Sequence, residues 1–237
     1  MFPFFRRTVA LFVLTSLSIP SWAGEIRLND WAFNVDGAVY DFFAGDPMPG
    51  SGSFDNLTGL GTLEFQFSSP GTHSLIAFFN HEFAAGHNTF FNEYGEAQGT
   101  PGNGQSWQID EPGLVFGTIY DNMLAGELAN TNYIPESNPE DASLALGWDF
   151  ELQAGEEALL SLVIGEQEPD ADFYLSHSDP EMGAGFDEQS SLYFWGDLTI
   201  TGGSVPVSGP TSLSILSLGL LTLVWRRRAS LPRTARC

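Results

Sequence analysis

The ten residues from Ser143 to Leu152, SLALGWDFEL, place Leu144, Leu146, Trp148, Phe150 and Leu152 at every second position. A period of two lays those side chains on one face of an extended strand, whereas a helix would scatter them around its circumference. TLEFQF repeats the pattern with Leu63, Phe65 and Phe67, and SLYFWGDLTI sets Leu192, Phe194, Leu198 and Ile200 against Tyr193, Trp195, Asp197 and Thr199. HSLIAFFNHEF (His73 to Phe83), GLVFGTIY (Gly113 to Tyr120), ALLSLVIGE (Ala158 to Glu166) and DFYLSHS (Asp172 to Ser178) are further strand candidates. Turns rich in Gly and Pro separate them, among them DPMPGSGS, SSPGTH, GTPGNGQ and IPESNPED. Helical periodicity is confined to a short turn near DNMLAGELAN (Asp121 to Asn130), and no internal repeat occurs. Eight or more short strands with turns between them predict an all-β chain, a single antiparallel β-sandwich of jelly-roll or immunoglobulin-like type.

Both ends depart from this pattern. Arg6 and Arg7 precede the apolar run Thr8 to Ile19, Pro20 breaks it, and Ser21 and Ala23 supply the small residues a signal peptidase needs. The expected cut falls between Ala23 and Gly24. No cysteine stands near that site, which excludes a lipid anchor, and the Arg pair lacks the surroundings of a twin-arginine signal. At the other end VPVSGP (Val205 to Pro210) leads into an apolar run, Leu213 to Trp225, followed at once by Arg226, Arg227 and Arg228. That run is short for a span of roughly 17–25 residues. The three arginines would stay in the cytoplasm and leave everything before Val205 outside.

A Pro-containing hinge, a short hydrophobic helix and an Arg cluster behind a signal peptide resemble the PEP-CTERM sorting signal of Gram-negative bacteria. In this chain Val205, Pro206, Pro210, Arg226, Arg227 and Arg228 carry that resemblance, with VPVSGP standing where the family has Val-Pro-Glu-Pro. It implies two processing partners, a signal peptidase and an exosortase-like sorting protease, and a transient stay in the inner membrane. TGGS (Thr201 to Ser204) bears a fainter similarity to the GlyGly-CTERM tail, which a rhomboid-type protease handles. The body, from about Asn34 to Ile200, is similar to a recurrent set of exported bacterial proteins with PEP-CTERM tails. GLGTLEFQFSSPGTHSLIAFFNHE, NTFFNEYG, GQSWQIDEPG and ASLALGWDFEL carry that likeness, as does the FYLSHSDP to SLYFWGDLTI ending. It implies a destination, not a chemistry. The chain then divides into a signal peptide (1–23), an exported sandwich (24–200) and a linker with the sorting motif (201–210). A membrane helix with its arginines (211–228) and a cytoplasmic tail (229–237) follow.

Charge narrows the partners. Between Glu25 and Asp197 thirty carboxylates face a single cation, Arg27, a formal charge of −29, and the chain has no lysine. Nucleic acid is excluded as a ligand, because phosphate contacts need Lys and Arg. The one cysteine, Cys237, lies past the membrane segment, so the exported body has no disulfide and must rely on its core. Self-repulsion at this charge suggests help from bound cations.

Few residues point to chemistry. HEFAAGH spaces His81 and His87 six apart, which breaks the four-residue spacing of a helical zinc protease site. A looser metal set of His81, Glu82 and His87 competes with a plain strand end and polar turn. His73 and His177 read as satisfied or exposed loop histidines. No G-x-S-x-G elbow, phosphate loop or dinucleotide fingerprint occurs. Two carboxylates facing each other across a cleft would make a glycosidase, and thirty of them make chance pairs abundant.

Two acidic loops offer hard oxygen ligands that suit Ca²⁺, through Asp170, Asp172, Asp179, Asp187 and Glu188. Neither loop matches an EF-hand, and a solvated acidic loop is the competing reading. Trp148 and Phe150 belong to the buried face. Trp107, Tyr193 and Trp195 are the aromatics that could stack on a sugar ring. The first functional expectation is a non-enzymatic, exported surface or matrix protein associated with polysaccharide. A carbohydrate-binding module on the same fold is the second, and an extracellular hydrolase the third.

Overall fold

The computed structural model describes residues 26–83, 90–113, 115–180 and 189–203. Within them the chain forms β1 (Ile26–Val35), β2 (Ala38–Asp41), β3 (Ser51–Asp55), β4 (Leu60–Phe67), β5 (Gly71–Phe83) and, after a 3-10 turn at Phe90–Asn92, β6 (Tyr94–Gly99) and β7 (Gln105–Asp110). There follow α1 (Ile119–Ala125), β8 (Thr131–Asn132), β9 (Ser143–Leu152), β10 (Glu156–Gly165), β11 (Phe173–Asp179) and β12 (Ser190–Gly202). The strands make two six-stranded sheets, β2-β1-β5-β9-β7-β8 and β3-β4-β10-β12-β11-β6. Every pairing is antiparallel except the two-residue contact of β7 with β8. The chain is all-β, as its alternation predicts.

Period-two side chains close the core between the sheets. Leu63, Phe65 and Phe67 on β4 and Leu160, Leu162 and Ile164 on β10 face Phe33, Leu75, Phe79, Leu144, Leu146 and Trp148 of the other sheet. Rings meet across the gap: Phe33 and Phe65 lie 5.6 Å apart, Phe79 and Phe194 5.2 Å. Phe150 is half-buried at the margin of this cluster, and beyond the half-buried Leu198 the predicted inward face of β12 loses its cover, leaving Ile200 exposed.

The first sheet is also covered on its outer face. Ala32, Ile76, Phe78 and Ala145 pack there against Ile119, Met123 and Leu128, so β5 and β9 are buried on both sides along most of their length. This corrects the expected strand at 113–120. Gly113 and Gly117 adopt φ of 94° and 84°, and the Gly113 N–H donates to the Phe116 carbonyl at 2.7 Å. Those bends deliver Ile119 onto the sheet as the start of α1, which ends at Gly126 in the left-handed conformation, its N–H capping Asn122 and Met123. Asn34 adds hydrogen bonds from Nδ2 to the Met123 and Leu124 carbonyls.

At the C-terminal side β12 runs to Gly202, where Thr201 and Gly202 pair with Glu157 and Glu156. The sheet therefore takes in two residues expected in the linker. Among the described residues no helix is long and apolar enough to cross a membrane. Ala23, Gly24, the VPVSGP motif, the apolar run after it and the three arginines lie outside the described residues.

Candidate functional site

The second sheet splits along one seam. β11 and β12 are paired only from Leu175 and Phe194 to Asp179 and Ser190. Past that point Phe173 and Tyr174 stay with β6, while Trp195 to Gly202 continue against β10 alone. A cleft of about 580 Å³ opens in the wedge. Its walls are Asp170, Ala171, Asp172 and Phe173 on one side and Trp195, Gly196, Asp197 and Leu198 on the other; Thr100, Gly102, Asn103 and Gln105 close one end.

Its floor is Trp148, reaching across from β9. Gly196 makes that approach possible: a Cβ there would stand 2.8 Å from Cζ2 and Cη2 of Trp148 and 2.9 Å from a Leu162 methyl. A lone glycine inside a strand is a sequence signal for close approach. Trp195 lies on the outer face, its ring edge over Gly165 of β10, where a Cβ would be only 3.7 Å away. The indole is half-buried beside the wedge.

The cleft collects some of the residues expected to act and leaves others elsewhere. Asp170 and Asp172 are exposed on its rim, and Trp195 is in its wall. Tyr193 shares the outer face with Trp195 but packs edge-on against Tyr174 at 5.8 Å. Burial and the nearby Glu168 and Tyr94 raise its hydroxyl pKa above the ordinary value. Trp107 sits on β7, half-buried, its ring 6.1 Å from Phe173. It supports the cleft from behind without lining it.

Asp179 does not belong with Asp170 and Asp172. It ends β11 fully buried and accepts a hydrogen bond from Asn92 Nδ2 at 3.0 Å. Seven residue-to-residue steps of about 3.3 Å along the strand separate it from Asp172. Asp187 and Glu188 lie outside the described residues, as does His87. Among the described residues no three His, Cys, Asp or Glu side chains converge to hold a metal ion. The rim members that sequence reasoning passed over, Asn103, Gln105 and Asp197, carried no signal beyond being polar.

A second constellation is internal. His177 is no loop histidine: it is fully buried inside β11, its Nε2 2.8 Å from Oε2 of Glu93, itself fully buried. The Ala142 N–H also donates to that Glu93 oxygen, at 3.4 Å. Burial is the largest influence on each group. It lifts the Glu93 carboxyl to about 9, with Asp179 adding to the rise, and drops His177 to about 3. Burial thus favours the uncharged form of both partners at this contact.

His81 is buried nearby and is also held down to about 3, by burial and then by His177. Burial, followed by Glu93 and Glu82, raises Asp141 to about 7. Nδ1 of both histidines and the Ser143 hydroxyl have no hydrogen-bond partner among the described residues. By contrast His73 is satisfied as expected, with Asp36 Oδ2 and the Ser69 carbonyl each at 2.8 Å.

Fold and cleft together define an acidic two-sheet β protein with an aromatic-walled, carboxylate-rimmed groove where one sheet comes apart. Comparison with protein-family models, with curated proteins and with solved structures finds no match for this chain.

Proposed function

We propose that this is an exported, non-enzymatic β-sandwich protein that holds extracellular polysaccharide in the cleft between β11 and β12. The cleft carries the reading. Its size falls within the roughly 300–1,000 Å³ of small-ligand sites. It joins a partly open indole, which stacks on the apolar face of a sugar ring, to the amides and carboxylates of Asn103, Gln105, Asp170, Asp172 and Asp197, which can hydrogen-bond hydroxyls. That combination favours the carbohydrate-binding alternative over a purely structural matrix protein.

It also argues against a hydrolase. A general acid working near neutral pH needs its carboxyl in apolar surroundings, and the rim carboxylates are all exposed. The carboxyls whose affinity for protons is raised furthest, Glu93 and Asp141, belong to the internal cluster.

The signal-peptide pattern and the PEP-CTERM-like tail support export through the inner membrane, cleavage by a signal peptidase and an exosortase-like protease, and delivery to the cell surface or extracellular matrix of a Gram-negative bacterium. Six strands per sheet and repeated crossings between sheets favour a jelly-roll type over an immunoglobulin type.

Co-sedimentation of the purified protein with extracellular polysaccharide from its host tests the binding. Trp195→Ala is expected to lower retention about tenfold with an unchanged melting temperature. Equal retention of wild type and variant counts against the cleft.

A further inference from the structure

We infer that the glycan taken by this cleft carries free ammonium groups, as a de-N-acetylated amino-sugar polymer does. The inference rests on the glycan-binding reading above and names the ligand class of the same site. Three carboxylates, Asp170, Asp172 and Asp197, stand on the rim, and no basic side chain lines it. Among the described residues none is placed to swing in. Arg27, the only Arg or Lys between Glu25 and Asp197, is on β1 of the other sheet, across from Glu82.

Uronate or sulfate groups would therefore meet like charge with nothing to neutralise them. The carboxylates of Asp170 and Asp172 accept no hydrogen bond from any other described residue, so they are not committed to holding a loop in shape. Asp197 has only a long contact from the Thr199 hydroxyl, at 3.4 Å.

Trp195 is the second, chemically independent feature. An indole face attracts both the C–H face of a pyranose and a cation above the ring. A neutral sugar would use the ring and offer the aspartates only hydroxyl donors, leaving their charge uncompensated, and a simple polyamine would compensate the charge and leave the ring idle. An amino sugar uses both. Gln105 completes the set: its Oε1 accepts the Gly102 N–H at 2.9 Å, which leaves its NH₂ as the donor for a sugar hydroxyl.

The test is calorimetric titration of the full-length protein, purified in mild detergent, at mildly acidic pH where the amines are protonated. The probes are a glucosamine oligomer, its fully N-acetylated counterpart and an oligouronate. The glucosamine oligomer is expected to bind about tenfold or more tightly than the acetylated one, with no measurable binding of the oligouronate. The double variant Asp172→Asn, Asp197→Asn should abolish that preference. A control of equal charge change away from the cleft, Glu127→Gln, Glu136→Gln, should keep it, with melting temperatures showing that all variants are folded.

Acetylated oligomer binding as tightly as glucosamine oligomer would overturn the ammonium preference while leaving glycan binding intact. Equal losses in the cleft and control variants would overturn it differently, by assigning the attraction to the overall charge. If no probe binds and the host polysaccharide is not retained either, the glycan reading itself fails.

Discussion

Gly196 and Trp148 are a matched pair, and Trp195 depends on them. With the Trp148 ring 2.8 Å from where a Cβ would sit, Gly196→Ala must push a buried indole or open the two sheets. Overpacking of this kind costs about 1–3 kcal/mol, and thermal denaturation should show a melting temperature lower by a few degrees. The same substitution should weaken glycan binding, since it moves the floor of the cleft. Trp195 was legible before the structure, because alternation with Phe194 puts it on the outer face. Gly196 was legible in principle as a glycine breaking an otherwise bulky strand. Glu93 was not, for nothing in NTFFNEYG distinguishes a buried acid from a surface one. Asp179 was misgrouped with Asp170 and Asp172 because closeness in sequence says little once a fully extended strand runs between.

The elements that meet around Glu93 give the protein a pH profile. β5 brings His81, β11 brings His177 and Asp179, and Asp141 stands just before β9. Glu93 holds its proton up to about 9 in the folded chain against an ordinary 4.5, so folding is increasingly opposed as pH rises through that interval. Asp141 adds the same effect between 3.8 and about 7. The two histidines act oppositely. Their folded values near 3 lie below the ordinary 6.5, so stability falls as pH drops from 6.5 towards 3. Melting temperature against pH should peak in mild acid, between about 4.5 and 6.5. Glu93→Gln keeps the shape and neutrality of the acid. It should flatten the alkaline limb above about 7, where Asp141 no longer contributes, while leaving the acid limb, and a wild-type profile flat from 4.5 to 9 would contradict the assignment.

Strand identity was largely readable at this scale, because one buried face per strand writes itself as alternation. The exception has a physical cause. β9 is covered on both faces, by the other sheet and by α1, so SLALGW buries every residue and the alternation in it is only apparent. The covering helix was hidden in turn, since its approach, GLVFGTIY, has strand-like composition and only the glycines betray the bends.

Across the whole molecule, thirty carboxylates oppose compaction. Adding salt within the range where the Debye length falls from about 10 Å to 3 Å should raise the melting temperature by screening that repulsion. A protein indifferent to salt would mean the charges are already neutralised by bound cations. Intact-mass analysis of material from the native host should find a chain starting at Gly24 and ending near 205–210, outside the inner membrane. A full-length C-terminus in the inner membrane would mean permanent anchoring instead.

The most direct test of the account is to map where polysaccharide touches the protein, by two-dimensional NMR during titration with fragments of the host's extracellular polymer. Shifts are expected to concentrate at the Trp195 indole N–H, at Asp170 to Phe173 and at Gly196 to Leu198. No shifts, or shifts centred on the separate groove of about 400 Å³ beside Tyr40, Gly50 and Phe67, would contradict it.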